Sequence, residues 1–395
     1  MKNFAVICEY NPFHAGHEYQ LSKIKESGGT VTAVMSGEYC QRGEVAVMDK
    51  YARARAALEG GVDLVLELPF PYSAAGAEKF AFGAVDIISR LGFVDEISFG
   101  SECGDAELIG RTAKNILSAE FESALCENMK INGEKPYGTV YFETYRALFG
   151  EDSVFTGSNN ILGVAYAAEI LKRDLPLDFS TVKRAGQDYY GEGEGFASAS
   201  SVRETLAERG IDSVRDMLPE YSFDLLRTEC ENGKIAQSER LFGVFASFLR
   251  THTSQDISHF AENDVSLAAR LIKAGNESRN MRELYKMAQT KKYSPSRVRR
   301  ALLFAYFGVT REMLCKPPAY TVLLAANSHG RNLLSVARKK STIPIITKPA
   351  DYEKYGDEVK TSFELTKKAA AVRLLSQEKA GTTAKIMRKT PYVEK

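Results

Sequence analysis

Short apolar runs alternate with amphipathic stretches through the first half of the chain. Phe4-Ala5-Val6-Ile7-Cys8 predicts a strand, followed by a tight polar loop and a helix from Glu18 to Lys25. Thr30–Ser36 predicts a second strand. An Ala/Arg-rich helix then starts at Asp49 and closes at Gly60-Gly61, and Asp63–Leu68 is a third strand stopped by Pro69. A helix from Ala74 ends near Gly92, and Glu96–Phe99 is a fourth strand running into Gly100-Ser101-Glu102. Strands alternating with helices predict an α/β domain with a parallel sheet and right-handed crossovers. Ligands on such sheets bind at the carboxyl ends of strands. The loops after Cys8, Ser36, Leu68 and Phe99 are therefore expected to gather around one pocket.

The pattern turns mostly helical over residues 105–175. There, Gly157-Ser158-Asn159-Asn160 leads into an apolar helix, Ile161–Leu171. A short strand, Phe179–Arg184, precedes a Gly-rich stretch, and Ser198-Ala199-Ser200-Ser201-Val202-Arg203 opens another helix. Beyond about residue 215 helical segments dominate, such as Glu239–Leu249, Ser266–Ala274 and Ser296–Phe307. One α/β-like piece follows: Tyr320–Ala325, a helix through Arg331–Lys340, and Ile343-Pro344-Ile345-Ile346. Two regions are expected, 1–215 and 216–395, dividing near Pro219.

Composition narrows the class. At 395 residues and 44% apolar, the chain can build packed cores in two or three domains. No apolar run approaches the roughly 18–20 residues that span a bilayer, and the N-terminus enters a strand without a signal-peptide pattern. The six cysteines are scattered and form no Cys-x-x-Cys, which predicts neither a zinc ribbon nor a disulfide framework but a reducing cytoplasm. The net charge of +1 hides an asymmetry. Residues 281–395 carry 24 Lys and Arg against 9 Asp and Glu, a net +15, which leaves −14 for residues 1–280. A basic final third on an acidic chain points to an anionic macromolecule, and RNA or DNA is the natural candidate; a basic solvated face without a partner is the alternative.

The chemistry concentrates in Glu9-Tyr10-Asn11-Pro12-Phe13-His14-Ala15-Gly16-His17. His14 and His17 sit at the turn from strand into helix, where unpaired N–H groups and the helix dipole favour an anion, above all phosphate. Two imidazoles there can donate hydrogen bonds to phosphate oxygens and stabilise charge developed during transfer. Gly16 lets backbone approach a ligand closely. A His-x-x-His pair could also be half of a zinc site, but the other histidines, His252, His259 and His329, lie far along the chain, and no metal site is expected. Ser200, with its Ser neighbours and Arg203 one turn on, suits either ordinary helix capping or a cradle for a triphosphate.

Tyr10–His17 resembles the His-x-Gly-His signature of the nucleotidyltransferase superfamily, and Ser198–Arg203 resembles its second signature. Glu9 and Asn11 depart from the broader pattern but match the bacterial tRNA(Met) cytidine acetate ligase family. So do Met35-Ser36-Gly37, Gln41-Arg42-Gly43-Glu44, Asp63–Pro69, Phe99–Glu102, Ser158–Leu162, Lys183-Arg184-Ala185-Gly186, Tyr293–Arg300 and Ile343–Thr347. The resemblance spans nearly the whole chain. It implies a Rossmann-like nucleotidyltransferase domain followed by a mainly helical, basic tRNA-binding region. It also implies a reaction in which acetate and ATP form acetyl-adenylate and pyrophosphate, and the wobble cytidine of elongator tRNA(Met) becomes N4-acetylcytidine. His14 and His17 would be catalytic. ATP would lie along Ile7-Cys8-Glu9-Tyr10-Asn11-Pro12-Phe13-His14-Ala15-Gly16-His17-Glu18-Tyr19-Gln20, with Gly100, Asn160, Arg184, Ala185, Ser200 and Arg203 as further contacts and Mg²⁺ accompanying the phosphates. An Asn at 160 could instead be a helix cap, and an Arg at 184 a surface charge.

The anticodon loop would meet Lys291, Lys292, Arg297 and Arg300, where Ser294 and Pro295 predict a helix start and Arg297 and Arg300 share a face. Two rivals remain at this level. An adenylyltransferase of a small phosphorylated metabolite would not need the basic final third. A non-catalytic RNA-binding protein would not need His14, Gly16, His17 and Arg203 together. An aminoacyl-tRNA synthetase would be expected to carry a Lys-Met-Ser-Lys-like segment, and none is found.

Overall fold

The computed structural model describes residues 2–151, 153–184 and 196–394. Its strands are β1 (Asn3–Cys8), β2 (Thr30–Ser36), β3 (Leu64–Leu68), β4 (Glu96–Ser101), β5 (Asp178–Lys183), β6 (Thr321–Ala326), β7 (Ile345–Ile346) and β8 (Tyr392–Val393). Helices α1 (Ala15–Lys25), α2 (Lys50–Glu59) and α3 (Ala77–Leu91) connect the first four strands. Then come α4 (Ala106–Ile116), α5 (Ala119–Ile131), α6 (Tyr137–Phe149), α7 (Ser158–Lys172) and α8 (Ala199–Arg209). The later helices are α9 (Glu220–Glu231), α10 (Phe242–Thr251), α11 (Ser254–Ser258), α12 (Val265–Glu277), α13 (Met281–Ala288), α14 (Pro295–Phe307), α15 (Ser328–Lys340) and α16 (Asp357–Leu375).

One sheet runs through the molecule in the order β5-β4-β1-β2-β3-β6-β7, with β8 beside β6. Every residue of β2 and β3 is buried, as strands covered by helices on both faces require. The chain steps from β1 outward to β2 and β3, then returns so that β4 lies on the other edge of β1. The strand order therefore reverses between β1 and β4. The crevice at their carboxyl ends, where the Glu9–His14 loop and Gly100 emerge, is where a ligand is expected on topology alone.

The expected parallel sheet is present but not purely parallel, because β6 pairs with β3 antiparallel. The sheet also crosses the division expected near residue 216, since β6, β7 and β8 all lie beyond it. Tyr320–Ala325 had the signal of a buried apolar run, but a single sequence does not show which edge such a run will join. The loop after Leu68 packs on α14 and on the loop after Ser36, where Tyr39 meets Phe70 at 6.0 Å. Phe70 is buried against Phe304 and Phe307 of α14, with ring centroids at 6.0 and 5.2 Å. Arg373 of α16, 1% exposed, donates to the carbonyls of Ala46 and Val47 and pairs with Glu38 at 3.2 Å. Val47 N–H in turn donates to Asn11 Oδ1 at 2.8 Å. The last long helix thus supports the loop beneath the histidine turn. Among the described residues no helix is long and apolar enough to cross a membrane.

Candidate functional site

The histidine turn is a capping box made of imidazoles. His14 is the N-cap of α1, and its Nδ1 accepts the Gly16 N–H at 3.1 Å. Reciprocally, His17 Nδ1 accepts the His14 N–H at 3.2 Å. With both Nδ1 atoms occupied as acceptors, each neutral ring carries its proton on Nε2, a tautomer assigned from these bonds. The rings stack with centroids 3.7 Å apart at 29°. Tyr10 and Phe13 set their rings against His17 at 4.8 and 5.5 Å. Gly16 has a local reason beyond ligand approach, because a Cβ there would lie 3.0 Å from the His14 ring.

Burial, and next the Arg184 charge, push His14 down to about 3. Burial also holds His17 well below its ordinary value, with His14 and Arg184 adding to the effect. At neutral pH the site therefore presents two uncharged rings with Nε2–H donors beside a guanidinium.

Arg184 follows β5, and its N–H donates to the Ser101 carbonyl at 2.9 Å. A Cβ on Gly100 would lie 3.5 Å from Arg184 Cγ and 3.8 Å from Gln20 Oε1. Gly100, Gln20 and Arg184 are thus neighbours across the crevice between β1 and β4. Asn160 is 1% exposed and is not the cap of its helix, whose N-cap is Gly157. Its Oδ1 accepts the N–H groups of Glu102 and Cys103 at 2.9 and 3.1 Å, shaping the loop that leaves Gly100. Glu102 answers by accepting the N–H groups of Asn159 and Asn160, covering the first turn of α7. Ala185 lies outside the described residues.

Arg203 closes the other side. Its Nη1 donates to the Asn11 carbonyl at 2.8 Å, and its Nη2 to Glu44 Oε2 at 2.8 Å and Ser200 Oγ at 3.4 Å. Ser198, rather than Ser200, caps α8, so the Ser200 hydroxyl is engaged with Arg203. Glu9 Oε1 accepts the Gln41 N–H at 2.8 Å. Burial raises the Glu9 carboxyl above its ordinary range, against the pull of that bond and of Arg203. Along the rest of the loop, Ile7 and Cys8 end β1, and Pro12 and Phe13 are buried. The Phe13 carbonyl accepts from Ser222 at 2.6 Å. Ala15 opens α1, exposed Glu18 accepts from Tyr221 at 3.0 Å, and Tyr19 faces Phe196 at 5.8 Å.

Sequence reasoning missed two arginines and a glutamate. Arg53 is fully buried and donates to the carbonyls of Met48, Glu9 and Gly37, tying the loops after β1 and β2 together. Its signal was an Arg on the buried face of an Ala-rich helix. Glu44 and Arg299 pair at 3.2 Å; both lie in segments that carried the family resemblance, without any role assigned.

The residues expected to meet RNA lie at the start of α14, with Ser294 as N-cap and Pro295 at N1. Lys291 is exposed, and Lys292 sits over the Tyr293 ring at 5.9 Å. Arg297 pairs with Asp264 at 3.1 Å, and Arg300 binds both oxygens of Glu262 at 2.8 and 3.3 Å. The structure therefore engages the two arginines within the protein and leaves the two lysines outside any described ion pair.

A family model described as HIGH Nucleotidyl Transferase matches residues 1–386. A Thermotoga maritima protein named tRNA(Met) cytidine acetate ligase is 36% identical over 363 residues, 88% of this chain and 87% of that protein. The chain belongs to the tRNA(Met) cytidine acetate ligase family. A Fervidobacterium nodosum member of the same name is 32% identical over 372 residues, 91% of this chain and 87% of its own length. The crystal structure of Thermotoga maritima TmcAL bound with alpha-thio ATP superposes with a TM-score of 0.91 at 31% identity, covering 100% of both chains. For a family of ATP-using ligases, the paired imidazoles sit where the sheet topology puts a ligand. A cleft of about 520 Å³ lined by Glu96, Ile170, Asp178 and Phe179 lies at the amino ends of β4 and β5, away from that chemistry.

Proposed function

We propose that this chain activates acetate with ATP and transfers the acetyl group to the wobble cytidine of elongator tRNA(Met) in the cytoplasm. The observation that carries the reading is the His14–His17 capping box, with two Nε2–H donors flanked by Arg184 and Arg203. A carboxylate oxygen is a poor nucleophile, so alignment with the α-phosphate and stabilisation of its charge must supply the first step. Acetate oxygen bonds to the α-phosphorus as the bond to the β-phosphate oxygen breaks, and pyrophosphate leaves. The cytidine N4 then bonds to the acetyl carbon, the bond from carbon to AMP oxygen breaks, and N4 gives up a proton. Neutral imidazoles suit the first step, because they donate to phosphate without needing a proton returned.

In this reading ATP lies along residues 7–20 with Gly100, Asn160, Arg184, Ala185, Ser200 and Arg203 around it. Residues 1–215 carry the activation chemistry, and residues 216–395 supply the basic surface for the anticodon loop. A base inside a stacked loop must leave the stack to reach such a site. Among the described residues no group of three or more His, Cys, Asp or Glu could hold a metal ion. A Mg²⁺ entering with ATP would be held mostly by phosphate oxygens and water, as this small, tightly hydrated cation usually is in nucleotide sites. The test is ATP–pyrophosphate exchange without tRNA. Exchange that requires acetate supports the reading, and exchange that ignores acetate overturns it.

A further inference from the structure

The loop between β2 and α2 is a small hairpin. Tyr39 bridges Val45, Cys40 N–H donates to the Glu44 carbonyl, and Gly43 N–H to the Cys40 carbonyl. One side of it meets the histidine loop, where the Gln41 N–H holds Glu9 and Glu44 Oε2 holds Arg203. The other side meets α14. Gly43 has φ +72, and a Cβ there would come 2.8 Å from Arg300 N, so the loop lies directly on the helix backbone. Arg299 Nε donates to the Arg42 carbonyl at 3.0 Å, and Arg299 Nη2 pairs with Glu44 Oε1 at 3.2 Å. A single carboxylate is thus shared, one oxygen for each arginine, between α8 and α14. The three side chains are 19–27% exposed, which limits competition from water.

We propose that Arg299 is a positioning residue for the activation step: by holding one oxygen of Glu44, it keeps Glu44 from clamping Arg203 with both oxygens, and so leaves Arg203 able to bind the triphosphate of ATP. This rests on the ligase reading, which places phosphate beside Arg203. Without Arg299 the half-buried carboxylate has one cation left, and a planar guanidinium binds a carboxylate best with two parallel bonds. Arg203 N–H groups that could donate to phosphate are then taken by Glu44.

Arg299→Ala is expected to raise KM for ATP in acetate-dependent exchange by about tenfold, the size of one charge-assisted hydrogen bond, with kcat changed far less. Adding Glu44→Gln removes the competing charge. The double variant is expected to return to within about twofold of Glu44→Gln alone, a rescue that a merely structural role would not produce. Arg299→Gln, shorter than Arg but with its amide nitrogen where Nε stands and so still able to reach the Arg42 carbonyl, replaces the alanine variant if that one fails to fold, and the same rise is expected. A wild-type KM in either single variant overturns the proposal, as does a double variant no better than the single one. If the wild type shows no acetate-dependent exchange, the ligase reading falls. ATP affinity by titration calorimetry then reads the effect of Arg299 on its own, and an unchanged affinity in the variant overturns the proposal.

Discussion

The two histidines do separate work within one motif, and substitution should separate them. His17 supplies an Nε2–H while its Nδ1 pins the His14 backbone. Loss of one well-placed donor costs roughly 10²–10³-fold in rate, so His17→Ala should slow acetyl-adenylate formation by that order. Stopped exchange assays measure it, and a wild-type rate would remove His17 from the chemistry. His14 carries a pH signature. Its folded-state value, about 3, lies below the ordinary histidine value, so between the two the unfolded chain binds the extra proton and acidification favours unfolding. Stability from this group is complete above about pH 6.5 and is lost as pH falls toward 3. Denaturant titrations of wild type and His14→Gln should therefore converge as pH is lowered through that window. Parallel curves would mean His14 is not held neutral. The identity of these residues was legible in the sequence. Their arrangement was less so: the helix was expected to begin at Glu18 with both histidines in the turn before it, whereas it begins at Ala15 with His17 in its first turn and His14 as the cap, the imidazole filling the role usually taken by Ser or Asp.

At the scale of elements, buried pairs and close approaches do the anchoring. Lys50, at the start of α2, donates to both oxygens of Glu67 in β3 at 2.7 Å, and Glu67 is 0% exposed. Lys50→Met would leave that carboxylate buried without its cation, at a cost of about 3–5 kcal/mol, readable as a shift in the denaturant midpoint. A change below about 1 kcal/mol would mean that the pair is solvated. Helix α15 packs so closely that a Cβ on Gly330 would lie 2.0 Å from the Asp63 carbonyl oxygen. Overpacking there should cost Gly330→Ala about 1–3 kcal/mol or more, and a neutral effect would place α15 further from β3. For α14, Arg297 and Arg300 already have carboxylate partners, so Lys291 and Lys292 are the better candidates for RNA phosphate. Replacing each by Ala should flatten the salt dependence of tRNA binding by about one unit of slope per lost contact; an unchanged slope would move the RNA surface elsewhere. The strands and helices flanking the site were readable from period and caps. The acids that meet α14, Glu262 and Asp264, were not, because ion pairing 33 to 38 residues apart leaves no local pattern.

Over the whole molecule, the final third is wired into the first. β6 covers the edge of β3, Arg373 supports the loop at Ala46 and Val47, and α14 lies on the hairpin that reaches Arg203. The change from alternating strands and helices to helical segments suggested two regions dividing near Pro219, since such a pattern says nothing of which strand borders which. Transfer of acetyl from acetate to one base is read by nucleoside mass spectrometry. Elongator tRNA(Met) is incubated with the protein, ATP and isotopically labelled acetate, then digested. N4-acetylcytidine carrying the label, absent when ATP or acetate is omitted, is the predicted result. Unmodified cytidine under conditions where the protein exchanges pyrophosphate with acetate and ATP would contradict it.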